Sequence, residues 1–218
     1  MTKKTPVVQP PFDLHAFSHN VLARDWKGKD KLNASLKAAI WRERAHDPVG
    51  LYRSNAAGTW HSKDNAFTSL GDAGGELQQM FAVAFAEWGG LAGLRKEVGI
   101  KCQGWAMVYE DRGYATVHTH PNCHVSGVYY VDDTSGGDEI TMATGVRVKP
   151  GDIEFINPMP RDFQSKELVL NPTLKFSFEK GRMVVFPSNL AHFVHPIVGP
   201  GERIAIAANG TFVNTPEG

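Results

Sequence analysis

The chain reads as mainly β, an antiparallel sandwich or barrel with helices placed ahead of it, and a jelly roll fits the number of strands. Three observations predict this. Beyond Ile100 the sequence breaks into eight or nine short β-rich runs. Turn signals separate them, among them Pro150-Gly151-Asp152, Glu179-Lys180-Gly181 and Gly199-Pro200-Gly201. The helical patterns precede the strands instead of alternating with them, which argues against a doubly wound parallel sheet.

Taken in order, residues 1–13 hold Pro6, Pro10 and Pro11 and read as an extended lead-in. Over 30–45, Leu32, Leu36, Ala39 and Ile40 recur at helical spacing and predict an amphipathic helix. The stretch 47–74 is rich in Gly, Ser, Asn and Asp and reads as loop. Leu77, Met80, Phe81, Ala84, Phe85 and Trp88 then trace the buried face of a second helix, with Gly89-Gly90 as its stop. Strands are predicted over 104–110, 114–120, 124–131, 138–143, 152–156, 173–179, 181–187, 191–198 and 202–213. The organisation expected is a helical and loop segment over 1–99 packed on a β core over 100–218, one structural domain overall.

At 218 residues the chain is long enough to bury a core without staples. Lys and Arg together number 23, as do Asp and Glu, and this balance argues against a nucleic-acid binder. The first 46 residues carry nine Lys/Arg against four Asp/Glu, which reads as a solvated helix face. Cys102 and Cys123 make no disulfide framework, so reduced thiols and a cytoplasmic setting are expected. No apolar signal-peptide region opens the chain, and the most apolar stretch, Met80 to Leu94, is interrupted by Glu87, Gly89 and Gly90, so no membrane span is expected.

The chemistry concentrates at His118-Thr119-His120-Pro121. Two histidines two residues apart on a strand share a face. Alone this is weak, since exposed strand histidines are common. A third histidine, His192, follows on another predicted strand, and three imidazoles can hold a first-row transition metal with positions left open. Arg203 follows with a strand-like Arg-Ile-Ala-Ile-Ala run, a fixed cation suited to an acidic cosubstrate that chelates the metal.

These runs together resemble a known family. His118-x-His120-Pro121 followed by Ser126-Gly127-Val128-Tyr129-Tyr130-Val131, then Phe186-Pro187-Ser188-x-Leu190-x-His192-x-Val194, then Arg203-Ile204-x-Ile206-x-x-Asn209 are similar to the iron(II)- and 2-oxoglutarate-dependent oxygenases, most of all to the branch related to prolyl hydroxylases. Ser54-Asn55 and Trp60-His61-Ser62 resemble that branch as well, and the likeness covers roughly 50–213. It implies a double-stranded β-helix (jelly roll, cupin-like) with the N-terminal helices packed on it and a metal at the barrel mouth. It also implies Fe(II), 2-oxoglutarate as cosubstrate and O2, with succinate and CO2 released and a C–H bond oxidised, as in a hydroxylase.

Carried over by position, the resemblance implies His118 and His192 as metal ligands. His120 stands where most such enzymes have Asp or Glu; were it no ligand, Asp132, Asp133, Asp138 and Glu139 are the nearby carboxylates, none at the right spacing. Arg203 would grip the far carboxylate of 2-oxoglutarate, the plain alternative being a strand arginine paired to Glu202 or another surface acid. Ala205 replaces the usual hydroxyl two residues on, so Tyr130 is expected to supply a donor, with Tyr109 a second inward candidate. Asn209 would line the cavity or cap an edge. Ser54, Asn55, Trp60 and His61 would face the substrate, or form a surface loop pinned by a buried tryptophan. His124 is expected to pack or support the site, His195 to face away, His15, His19 and His46 to be solvated, and Cys123 to act as a small hydrophobe. The expected partner is a small-molecule or side-chain substrate, with no nucleic acid and no membrane; a homodimer is compatible with the sequence. Two other readings stay open: a three-histidine cupin-like metalloenzyme without 2-oxoglutarate, in which Arg203 binds an acidic substrate, and a non-catalytic jelly-roll binding module.

Overall fold

The computed structural model describes residues 20–94, 98–135, 137–141, 147–158 and 173–214. The lead-in expected over 1–13, His15, His19 and the end of the strand expected over 138–143 lie outside the described residues.

The first described element is a strand absent from the sequence reading, β1 (Leu22–Asp25), followed by α1 (Asp30–His46). Leu32, Leu36, Ala39 and Ile40 form the buried stripe of α1, as their spacing predicts, with Asp30 in the first turn and Arg44 in the last, each placed to complement the helix dipole. The stretch read as loop over 47–74 contains β2 (Ala56–His61) and a short helix, α2 (Ala66–Ser69). Helix α3 (Gly71–Leu91) starts earlier than predicted and runs through Gly89-Gly90. At Gly89 a Cβ would come 3.1 Å from the Phe212 ring, and Trp88 stacks on Phe212 at 6.4 Å, so close packing explains that glycine and overrides its tendency to end a helix.

One long strand, β3 (Val98–His118), replaces the two predicted over 104–120. There follow β4 (Val125–Asp133), the two-residue pair β5 (Ile140–Thr141) and β6 (Arg147–Val148), β7 (Ile153–Ile156), β8 (Thr173–Phe176), β9 (Arg182–Pro187), β10 (His192–Val194) and β11 (Arg203–Asn214). Among the described residues, the pairing order is β1-β9-β4-β11-β3-β10-β7-β8, with β2 on β3 and every pairing antiparallel. The fold is mainly β, a curled antiparallel jelly roll with helices against its outer face. Both β1 and β2 find their partners far along the chain, which is why local pattern did not show them.

Side-chain alternation splits the core in two. On β11, Ile204, Ile206 and Ala208 join the helical residues Phe81, Phe85 and Leu77 in an outer core, while Ala205 and Ala207 turn into the barrel with Met107, Tyr130 and Phe155. The helices come close because glycines lie beneath their aromatic rings: a Cβ at Gly104 would stand 2.7 Å from Phe67, and one at Gly210 would stand 2.5 Å from Phe85. Beyond Tyr109, β3 makes an excursion in which residues 110–113 face the single residue Gly58. Gly58 (φ 60°) and Gly113 are required there, since a Cβ on Gly113 would meet the Gly58 carbonyl oxygen and one on Gly58 would lie 2.9 Å from Gly113 Cα.

Gly210→Ala should cost about 1–3 kcal/mol of unfolding free energy, because Phe85 is fully buried and has no room to yield. Urea denaturation of the variant beside the parent chain measures it, and an unchanged midpoint would contradict this packing.

Candidate metal centre

The ends of two strands and one turn bring three imidazoles together. His192 begins β10 and lies directly opposite His118, the last residue of β3. Two residues further along β10, Val194 lies opposite Ala115, three residues back on β3, so a bulge separates the two pairs. That bulge changes the phase of β3 and aims His118 into the barrel beside Ala115. His120 is not on the strand, which corrects the sequence reading: β3 stops at His118, and the His120 N–H is tied to the Ser188 carbonyl at 2.8 Å. Pro121 has no N–H to continue a ladder, and Asn122 takes a positive φ of 63° in the turn that follows.

The candidate ligand nitrogens of His118, His120 and His192 all lie within 4.8 Å of one another, with 3.3 Å between the Nε2 atoms of His120 and His192. Ligands bound cis at ~2.0–2.1 Å from one ion stand ~3 Å apart, so a small inward movement closes the set. Hydrogen bonds fix which nitrogens are free. His118 Nδ1 is 2.7 Å from the Thr116 carbonyl oxygen and His192 Nδ1 is 2.9 Å from that of Leu190. A carbonyl can only accept, so both Nδ1 atoms carry the proton and both Nε2 lone pairs point inward. Burial holds all three rings in the neutral, metal-binding form: it lowers the pKa of His118, takes His192 to about 4, and together with repulsion from the other two takes His120 to about 3. Three neutral imidazoles suit Fe(II) and also nickel, copper or zinc. Among the described residues no carboxylate joins them; Asp132 pairs with Lys37 at 2.7 Å, Asp133 accepts from Ser135, and Glu139 pairs with Arg147.

A cavity of about 720 Å³ opens over this cluster, and Arg203 lies at its deep end, 1% exposed. Its Nη1 donates to the Gly151 carbonyl, and its guanidinium carbon lies 5.0–5.3 Å from the ring centres of Tyr130, Phe178 and Tyr109. No carboxylate pairs with it among the described residues, and its Nε has no partner. Glu202, the neighbour that might have neutralised it, lies 3.7 Å from Lys37. The Tyr130 hydroxyl is buried without a partner and burial pushes its pKa up to about 12, while the Tyr109 hydroxyl donates to Met107 Sδ at 3.5 Å. A buried, unmatched cation beside an unpaired hydroxyl donor is the environment an anionic cosubstrate would complete.

The other predicted residues divide. Asn209 lines the cavity, its Oδ1 accepting from Ser126 Oγ at 2.8 Å. Ser54, Asn55 and His61 line it as well. His61 is 5% exposed with both ring nitrogens unpaired, and burial first, then the charges of Arg53 and His118, bring its pKa to about 4. Unmet polar atoms of this kind cost ~1–3 kcal/mol each. Trp60 does not face the cavity, contrary to the substrate-facing expectation. It pairs with Val108 on the helix side of the sheet, and its Nε1 donates to the Asp47 carbonyl at 2.8 Å. His124 stacks on Phe212, and His195 faces away and meets Glu154 at 2.6 Å.

Sequence reasoning missed the aromatic and backbone groups around the cluster. Trp105 and Phe186 lie 5.8 and 6.2 Å from the His120 ring, and Phe155 lies 5.7 Å from His192. Nothing in the local pattern distinguishes Trp105 or Phe155 from other apolar strand residues, and Phe186 enters only as part of the motif that leads to His192. The sequence predicts Gly151 only as a turn residue, yet a Cβ there would lie 3.0 Å from Arg203 Nη1. Asp152 beside it is buried with Oδ1 unpaired.

Residues 103–209 match the family model described as "Putative 2OG-Fe(II) oxygenase". No curated protein matches the chain. Among solved structures, a prolyl-4-hydroxylase from Pseudomonas putida is 16% identical with a TM-score of 0.58, covering 91% of this chain and 94% of its own. A prolyl hydroxylase from Trichoplax adhaerens, in complex with a hypoxia inducible factor peptide fragment, is 13% identical with a TM-score of 0.60, covering 88% and 83%. HygX from Streptomyces hygroscopicus, with nickel and 2-oxoglutarate bound, is 10% identical with a TM-score of 0.53, covering 88% and 83%. At these identities the likeness is one of fold. The family match falls on the segment that carries all three histidines and Arg203, and that segment is similar to the iron(II)- and 2-oxoglutarate-dependent oxygenases, enzymes that require Fe(II), 2-oxoglutarate and O2.

Proposed function

We propose that His118, His120 and His192 hold the iron, that Arg203 and Tyr130 take the far carboxylate of 2-oxoglutarate, with Tyr109 beside them, and that the enzyme carries out a hydroxylase-type oxidation of a small molecule or a side chain. The observation that carries this reading is the pair of Nδ1–H bonds to the Thr116 and Leu190 carbonyls, which leaves Nε2 lone pairs free within a half-buried cluster whose ligand nitrogens lie within 4.8 Å of one another. Bound there, iron would let dioxygen act as the oxidant, with 2-oxoglutarate giving up two electrons as it becomes succinate and CO2 and the substrate giving up the other two.

The chain's own residues do the rest. The backbone carbonyls hold two rings in one tautomer. Phe155, Phe186 and Trp105 wall the cluster from water. Arg203 offers a carboxylate its unmatched charge, and Tyr130 replaces the hydroxyl that Ala205 lacks. His120 in place of a carboxylate leaves the site one unit more positive, so the dianion's charge has greater weight in holding the metal. The segments 1–99 and 100–218 act as one unit in this reading, supported by β1 on β9 and β2 on β3. No helix among the described residues is long and apolar enough to cross a membrane.

The direct test is succinate formation from 2-oxoglutarate by purified protein with and without added Fe(II). His192→Ala should lose stoichiometric metal while retaining a cooperative unfolding transition; retained metal and turnover would reject the assignment. Arg203→Ala should raise the 2-oxoglutarate requirement at least tenfold, from the ~1.5–3 kcal/mol of a charge-assisted contact. An unchanged requirement would return Arg203 to packing alone.

The buried imidazoles also set a pH dependence. Unfolded, they take protons near pH 6.5, whereas in the fold His61 and His192 resist until about 4 and His120 until about 3. Between those limits the unfolded chain binds more protons, so stability of the metal-free protein should fall as pH drops from 6.5 towards 4. Urea midpoints across that range measure it, and a flat profile would contradict the burial of these rings.

A further inference from the structure

The inward side chains of β3 and β11 change character along the barrel. Register pairs Arg203 with Tyr109, Ala205 with Met107, Ala207 with Trp105, Asn209 with Gln103 and Thr211 with Lys101. The sequence of layers therefore runs from a deep cation, through apolar residues at the level of the histidines, to four hydrogen-bonding side chains at the mouth. All four of these outer residues line the same cavity. Asn209 Oδ1 is occupied by the Ser126 hydroxyl, which leaves its NH2 group to donate elsewhere. Lys101 makes no ion pair among the described residues. The acid in the cavity wall, Asp64, is paired with Arg53, so those two charges cancel and Lys101 leaves the mouth with one net positive charge.

We propose that Lys101, Gln103, Asn209 and Thr211 form an anchoring subsite for the primary substrate, and that this substrate carries a carboxylate-type monoanion at one end. The proposal rests on the oxygenase reading above and names the substrate class for that same site. One ammonium, two amide NH2 groups and a hydroxyl supply donors to a carboxylate's two oxygens. The spacing sets a ruler. Strand rise places the Lys101 layer ~13 Å and the Asn209 layer ~7 Å from the Trp105 layer beside His120, so the oxidised carbon lies several bonds from the anchored acid. Unlike Arg203, this anchor is open to solvent, so it can exchange substrate while the cosubstrate stays in place.

Calorimetric titration of the full chain loaded with Zn(II) and 2-oxoglutarate tests it, with octanoate, octanamide and inorganic phosphate as probes. Octanoate should bind at least about fivefold tighter than octanamide, and added salt should shrink the difference. Lys101→Met should erase the preference and Lys101→Glu should reverse it; Lys101 is exposed, so neither disturbs the core. Equal affinities, a preference that survives Lys101→Met, or displacement of octanoate by phosphate would overturn the proposal. Metal and 2-oxoglutarate stoichiometry is measured first: failure there counts against the iron site, and the titration repeated on metal-free protein still reads the anchor. Normal loading without an octanoate preference counts against the anchor alone.

Discussion

The architecture depends on the pairing of β3 with β11, which runs unbroken from Val98 opposite Asn214 to Tyr109 opposite Arg203. Antiparallel pairing places directly opposed residues on the same face, so each step along this ladder assigns one pair to the helices and the next to the barrel. Outward, Ala106, Val108, Ile204 and Ile206 form the floor on which Phe81 and Phe85 pack. Inward, the same two strands carry Arg203, the small alanines that leave space above Trp105 and Met107, and the polar mouth. A one-residue slip would send every one of these to the wrong side. Core and cavity are thus two faces of a single register.

The histidine cluster is built where that regularity ends. β3 leaves β11, makes its excursion around Gly58 and Gly113, and reaches β10 through a bulge before delivering His118. Regular alternation from Tyr109 would have put an even-numbered residue on the outer face. The irregular segment corrects the phase, and the chain then stops pairing, so that His120 arrives from a turn held by the Ser188 carbonyl. Three rings so placed repel one another's protons and are deprived of water, which keeps them neutral. An arrangement of this kind, costly when empty, is stabilised by whatever cation it binds.

Much of this was legible in the sequence. The buried stripe of α1, the jelly-roll class and the grouping of His118, His120, His192 and Arg203 follow from local pattern and motif. What was not legible arose from contacts between distant segments. β1 and β2 are strands because β9 and β3 offer them edges. Gly89 sits inside a helix because Phe212 presses on it. Trp60 and His61 are neighbours with opposite fates because β2 alternates like any strand: Trp60 joins Val108 outside, and His61 joins Met107 within. The same rule misled when applied to His118 and His120, which are not two positions on one strand. The layered change from apolar to polar along β3 and β11 becomes visible only when the two strands are set side by side.

The central claim is that three imidazoles, with no carboxylate from the chain, hold one ion. Iron K-edge X-ray absorption of anaerobically loaded protein counts those ligands directly. The account predicts scattering from three histidine rings with nitrogens at ~2.0–2.2 Å from the iron. A fit that requires two imidazoles and a protein carboxylate, or an ion held without His120, would contradict it.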